Sequence, residues 1–153
     1  GKDREARENM MLAALFGGVA LANAGVTACH ALAYPLGGMF GVAHGVSNAL
    51  LLSHVARFNA FASPERFAEA AALLGGDTYD LPERDGALLC ADLIGELVAD
   101  LGLPRTLRDL GAGIAKERFA TMAAKAMGVA RPIANNPRDI CEKDCIAIYE
   151  EVF

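Results

Sequence analysis

Tryptophan is absent from this chain, and aromatic residues as a group are scarce at 7%. There is no run of lysine or arginine, and the formal charge is −5. Proteins that grip nucleic acid need basic patches interleaved with stacking rings, so no nucleic-acid partner is expected. Nowhere do apolar and polar residues alternate at the period of a strand. No segment repeats, and none is of low complexity. The glycines form no phosphate-binding loop, because Gly37-Gly38 does not follow a strand pattern. Proline numbers only six and is missing from residues 5–34, so nothing there forbids a long helix. The four cysteines, Cys29, Cys90, Cys141 and Cys145, fall at irregular intervals. With no signal peptide ahead of them they read as reduced thiols, and the expected location is the cytoplasm.

What is present is a helical pattern. A hydrophobic share of 54% over 153 residues favours a packed globule with a single core. The expected fold is all-α, about six helices in a bundle, forming one domain over residues 1–153. The first helix would cover 5–34, rich in alanine, leucine and methionine, and stop before Pro35. Gly37, Gly38 and Gly41 would make a loop over 36–43, and a second helix would run from His44 to about Asn59. Ser63 and Pro64 have the chemistry of N-cap and first helical residue for a third, which Gly75-Gly76 would end. A fourth would start at Pro82, carry Leu89, Leu93, Leu97 and Leu101 as its apolar stripe, and end at Gly102. Residues 103–111 read as a connector, with Arg105, Arg108 and Asp109 as surface charges. A fifth helix is expected over 115–127, a loop over 128–136, and a last helix from Asp139 to Phe153. That last helix would turn Cys141, Cys145, Ile148 and Val152 inward, which makes the two cysteines core packing rather than a metal or redox pair.

The first helix carries two stripes. Asn23, Thr27, His30 and Tyr34 fall at i, i+4, i+7 and i+11, and they are nearly the only polar side chains on it. Such a stripe is expected to look into an internal polar site, because buried polar groups need partners. Ala13, Gly17, Ala20, Ala24, Ala28 and Ala31 form a neighbouring stripe of small residues, which suits a central helix that others approach closely. The segment 10–33 is apolar enough to raise a membrane-spanning reading. Its alanine and glycine content and its polar stripe favour a buried helix under a cleft, so no membrane partner is expected.

All three histidines, His30, His44 and His54, lie within residues 23–57. His44 falls at a helix N-terminus, where the helix dipole disfavours a cation. A metal ligand must be a neutral imidazole, so the position suits ligation. His54 lies ten residues further on, nearly a right angle around the helix, and is not expected to share a site with His44. Two histidines fourteen apart are no metal signature on spacing alone, and two satisfied core histidines would leave the same trace.

The stretch HALAYPLGGMFGVAHGVSNALLLSHVARFNA is similar to the core motif of the iron-containing (group III) alcohol dehydrogenases. The flanking DREARENMMLAALFGGVALANAG, SPERFAEAAALLGGD, LIGELVADLGLPRTLRDLG and ANNPR also resemble that family, so the likeness covers nearly all of the chain. In that family an α/β domain binds the nicotinamide nucleotide and an all-helical C-terminal domain carries the metal ligands, one Asp and three His. The resemblance implies that His30 and His44 are two of those ligands. It also implies that the other two, with the nucleotide-binding domain, lie upstream of this sequence. Residues 1–153 would then be the helical metal-binding domain alone, without dehydrogenase activity in isolation. Many members have a histidine facing substrate and nicotinamide where this chain has Tyr34, and a phenol is a poor base at neutral pH.

The resemblance implies a divalent metal, Fe(II) or Zn(II), since imidazole and carboxylate suit both. It also implies NAD or NADP bound through the upstream domain, and a small alcohol or aldehyde as substrate. Reduction of maleylacetate or of a keto acid is the related alternative. A different class of reading is a helical domain with only a structural or oligomerisation role. A homodimer pairing two His30/His44 sets would restore four imidazoles.

Overall fold

The first helix ends at Ala24, well before Pro35. The computed structural model describes all 153 residues and holds eight α-helices, one 3-10 turn and no strand, so the all-α expectation holds and the helix count rises from six to eight. Helix α1 spans Arg4–Ala24 and starts where the Asp3 carboxylate accepts the Ala6 N–H at 3.0 Å. It stops because Gly25 takes a φ of +76°, a conformation that side-chain-bearing residues rarely adopt. Helix α2, Ala28–Phe40, starts afresh after an extended Thr27 and is bent 105° from α1.

Pro35 sits inside α2 rather than ending it. A proline there gives up one helical hydrogen bond. The flanking Ala31, Leu32 and Leu36 are all fully buried, and their burial offsets that loss. Gly37 and Gly38 likewise belong to the helix, and the glycine that ends it is Gly41, left-handed at φ +70°. Its N–H returns to the Gly37 carbonyl at 3.0 Å, and Val42 N–H reaches Leu36 O at 3.2 Å. The loop before the next helix is therefore only Gly41 to Ala43.

Helix α3, His44–Ala60, packs along α2, and the hairpin of α4 (Pro64–Leu73) and α5 (Glu83–Asp100) packs on α3. Pro64 opens α4 as expected, although the Ser63 hydroxyl caps nothing. On α5 the buried face is Gly86, Ala87, Cys90, Ala91 and Val98, not the leucine stripe. Leu97 and Leu101 are exposed. Small residues face inward there because α4 comes close; a Cβ on Gly86 would stand 3.0 Å from that of Ala68. A 3-10 turn at Lys116–Arg118 leads into α6, Phe119–Met127. Within the expected loop lies a short α7, Ala130–Ala134. The last helix, α8, spans Glu142–Glu151, starting later than Asp139. Cys145, Ile148 and Val152 face inward, but Cys141 is the exposed N-cap.

The core lies between α2, α3, α6 and α8, around Leu32, Leu36, Leu51, Phe119, Met122 and Tyr149. The Tyr149 hydroxyl donates to the Leu32 carbonyl at 2.7 Å and ties α8 to the middle of α2. Helix α1 takes no part, since none of its residues is buried. The expectation that it is central fails for that reason, and only Ala28 and Ala31 of the small-residue stripe reach the core, on α2. The polar stripe is cut as well: Asn23 stays on α1, donating to Val19 O, while His30 and Tyr34 remain one turn apart on α2. No single helix is long and apolar enough to cross a membrane.

Leu32→Ala, in the core, is expected to lower unfolding stability by about 2–5 kcal/mol. Phe16→Ser, on α1, should change it by no more than about 0.5 kcal/mol. Urea titrations of the two variants check the contrast, and a large loss for Phe16→Ser would mean that α1 packs after all.

Candidate metal centre

The short loop between α2 and α3 brings three aromatic rings together. His30, in the first turn of α2, and His44, the first residue of α3, have ring centroids 5.2 Å apart with planes inclined by 55°. Tyr34, one turn after His30, lies nearly parallel to the His44 ring with centroids 6.0 Å apart. His30 is half-buried, while His44 and Tyr34 are exposed, so the group opens to solvent. Burial pushes the His30 imidazole below the ordinary histidine range, and the neighbouring His44 pushes the same way. Both causes favour the neutral ring, the form that can bind a metal.

The pair fits a shared ion in spacing as well as in chemistry. A metal–nitrogen bond of about 2.1 Å, extended by roughly 1.1 Å from nitrogen to ring centre, puts two imidazole centroids on one tetrahedral ion about 5 Å apart. No group of three or more His, Cys, Asp and Glu side chains is placed to hold a metal ion, so the chain offers two donors where a tetrahedral site takes four. Cys29 is adjacent in sequence but is not a third donor. Its thiol is buried, pushed up to about 12 by that burial, and directed to the Asn48 carbonyl at 3.5 Å.

Asn48 is a residue of this site that the sequence reading missed. Its side-chain nitrogen lies 3.1 Å from His44 Nε2, 3.4 Å from Nδ1 and 3.0 Å from the His44 carbonyl. An amide nitrogen that close to both ring nitrogens lies over the face of the His44 ring, off the in-plane lone pair that a metal would take. The Asn48 oxygen, Oδ1, is buried without a partner. The i, i+4 spacing of His44 and Asn48 on one helix was the available signal.

His54 stands apart, as its place on the helix suggested. Its Nδ1 faces a Glu151 carboxylate oxygen at 3.6 Å, in a cavity of about 440 Å³ shared with Ser53, Arg105 and Thr106. On the connector, the Asp109 carboxylate accepts the N–H groups of Arg105 and Thr106, a local turn rather than a site.

Residues 1–153 match the family model described as Fe-containing alcohol dehydrogenase family, C-terminal. The chain belongs to that family. It is 42% identical over 153 residues to a 1,3-propanediol dehydrogenase of Citrobacter freundii, covering 100% of this chain and 39% of that protein. It is 39% identical to long-chain-alcohol dehydrogenase 1 of Geobacillus thermodenitrificans, covering 100% of this chain and 38% of the relative. A crystal structure of a 1,3-propanediol oxidoreductase superposes with a TM-score of 0.94 at 39% identity, over 99% of this chain and 39% of that one. The chain thus spans under two-fifths of the length of these family members, and it matches their C-terminal part.

In an NMR titration the His30 ring is expected to titrate below the usual 6.5. His44→Ala should raise it only part of the way, because burial, the larger cause, remains. The sign for stability follows: the unfolded chain takes up this proton first, so the fold weakens as pH falls from about 6.5 through the lowered folded value. A His30 that titrates at or above 6.5 would contradict the burial.

Proposed function

We propose that this chain is the metal-binding helical part of an NAD(P)-linked alcohol dehydrogenase acting on a small alcohol or aldehyde, with His30 and His44 as two ligands of a divalent metal. The observation that carries the reading is the pair of imidazoles 5.2 Å apart at a helix junction. The family membership and the names of the relatives, dehydrogenases of propanediol and of long-chain alcohols, support the substrate class. Imidazole suits Fe(II) and Zn(II) alike.

When bound, such an ion polarises the substrate oxygen and lowers an alcohol's pKa, while the nicotinamide carries the hydride. The chain's own residues do the rest. His30 supplies a ring held toward the neutral form by its half-buried position, and His44 supplies a second ring from a helix start. Tyr34 lies nearly parallel to the His44 ring. Its hydroxyl can donate a hydrogen bond to an oxygen bound beside the two rings, but a phenol is a poor proton acceptor near neutrality. The nicotinamide and the remaining ligands are assigned to the part of the relatives' length that this chain does not span.

A second reading, a helical domain with a structural or assembly role only, is favoured by one observation: two donors do not make a closed metal site.

Elemental analysis of the purified chain, with and without added Fe(II) or Zn(II), separates the two. Metal that is retained by the wild type and lost in His30→Ala supports ligation, and no metal in either favours the structural reading. The chain alone is expected to reduce no NAD with simple alcohols, and measurable reduction would overturn the assignment of the nicotinamide site elsewhere.

A further inference from the structure

Helix α2 begins without a cap of its own. The side chain of Thr27, its N-cap residue, makes no capping bond. The first N–H, that of Ala28, is instead taken by Asn136 Oδ1 at 3.3 Å, from the loop that follows α7. The same oxygen accepts Asn59 Nδ2 at 2.9 Å, and Asn136 Nδ2 donates to Asn59 Oδ1 at 2.8 Å and to the Arg138 carbonyl at 2.7 Å. All four hydrogen-bonding positions of this one amide are filled. Asn59 and Asn136 are 4% and 9% exposed, so water offers no easy substitute for these bonds. Asn135, beside it, holds the Ala24 and Val26 carbonyls at 2.7 and 3.2 Å, the two flanks of the α1–α2 break.

We infer that Asn136 is a positioning residue for the His30/His44 pair: it fixes the start of α2 and ties that start to α3, the helix that His44 opens. The inference rests on the reading of those two histidines as ligands. Its physical basis is helix geometry. His30 lies in the first turn of α2, and a helix start that shifts by one residue turns the side chains there by about 100°. An uncapped first turn frays. Held by Asn136, the first turn keeps His30 facing His44; Asn59 makes the hold a joint between the two ligand-bearing helices.

The test compares three variants of the full chain. Asn136→Ala removes the cap and the joint. Asn59→Ala removes the joint and leaves the Ala28 cap, and it carries the test if Asn136→Ala does not fold. Arg138→Met is the control from the same loop; it breaks the bond from Arg138 Nη1 to the Phe58 carbonyl at 2.8 Å and the guanidinium stacking on Phe58, without touching Ala28. Two readouts are taken: the NOE between the His30 and His44 ring protons in metal-free chain, and Co(II) affinity by its visible absorption. Asn136→Ala is expected to lose the ring NOE and to weaken Co(II) binding by about ten- to a hundredfold, the usual cost of an orienting partner. Arg138→Met is expected to lower Tm and keep both. The inference is overturned if Asn136→Ala keeps the NOE and the affinity, or if Arg138→Met loses both in step with Tm. If the wild type takes up no His30-dependent Co(II), the ligand reading fails instead, and the ring NOE alone decides whether Asn136 positions the pair.

Discussion

The start of α2 is set by a single backbone conformation at Gly25. Its positive φ stops one helix and lets the chain leave at 105° to begin another. A side chain there would be strained, and an unbroken helix would leave no open N–H at the start of α2. The turn also puts two backbone carbonyls and an open N–H in one place, and the Asn135-Asn136 pair meets them. A break in secondary structure thus becomes the place where distant parts of the chain are joined.

The core around this joint is made of small surfaces rather than large aromatic ones. Alanines at 28, 31, 123 and 126 are fully buried between helices, and Phe119 and Tyr149 supply most of the ring bulk. Close backbones leave little room for shifts, which suits a structure whose candidate ligands sit at two helix starts. The polar groups inside are few and answered. Tyr149 reaches Leu32 O, Ser47 reaches Ala43 O, and the two asparagines answer one another. The exception is Asn48 Oδ1, beside His44.

The start of α3 at His44, the opening of α4 at Pro64 and the end of α5 before Gly102 were legible because each rests on a local signal. The break at Gly25 was not, since a lone glycine within alanine-rich sequence is tolerated inside a helix at a cost of only about 1 kcal/mol. Pro35 misled in the opposite direction: its local cost is real, but tertiary burial outweighs it. Exposure of α1 could not be read from hydropathy, which records what a helix prefers and not what is packed against it. For the site, the motif singled out His30 and His44, and the structure puts their rings together. The Asn59–Asn136 pairing spans 77 residues and leaves no periodic trace in sequence.

The bare state of α1 has a thermodynamic signature. Met10, Met11, Leu15, Phe16 and Val19 are all more than half exposed, so they are hydrated before unfolding as well as after it. The heat capacity of unfolding arises from apolar surface newly wetted. The 21 residues of α1 therefore add little to it, and the chain should unfold with the heat-capacity increment of a smaller protein than its length implies.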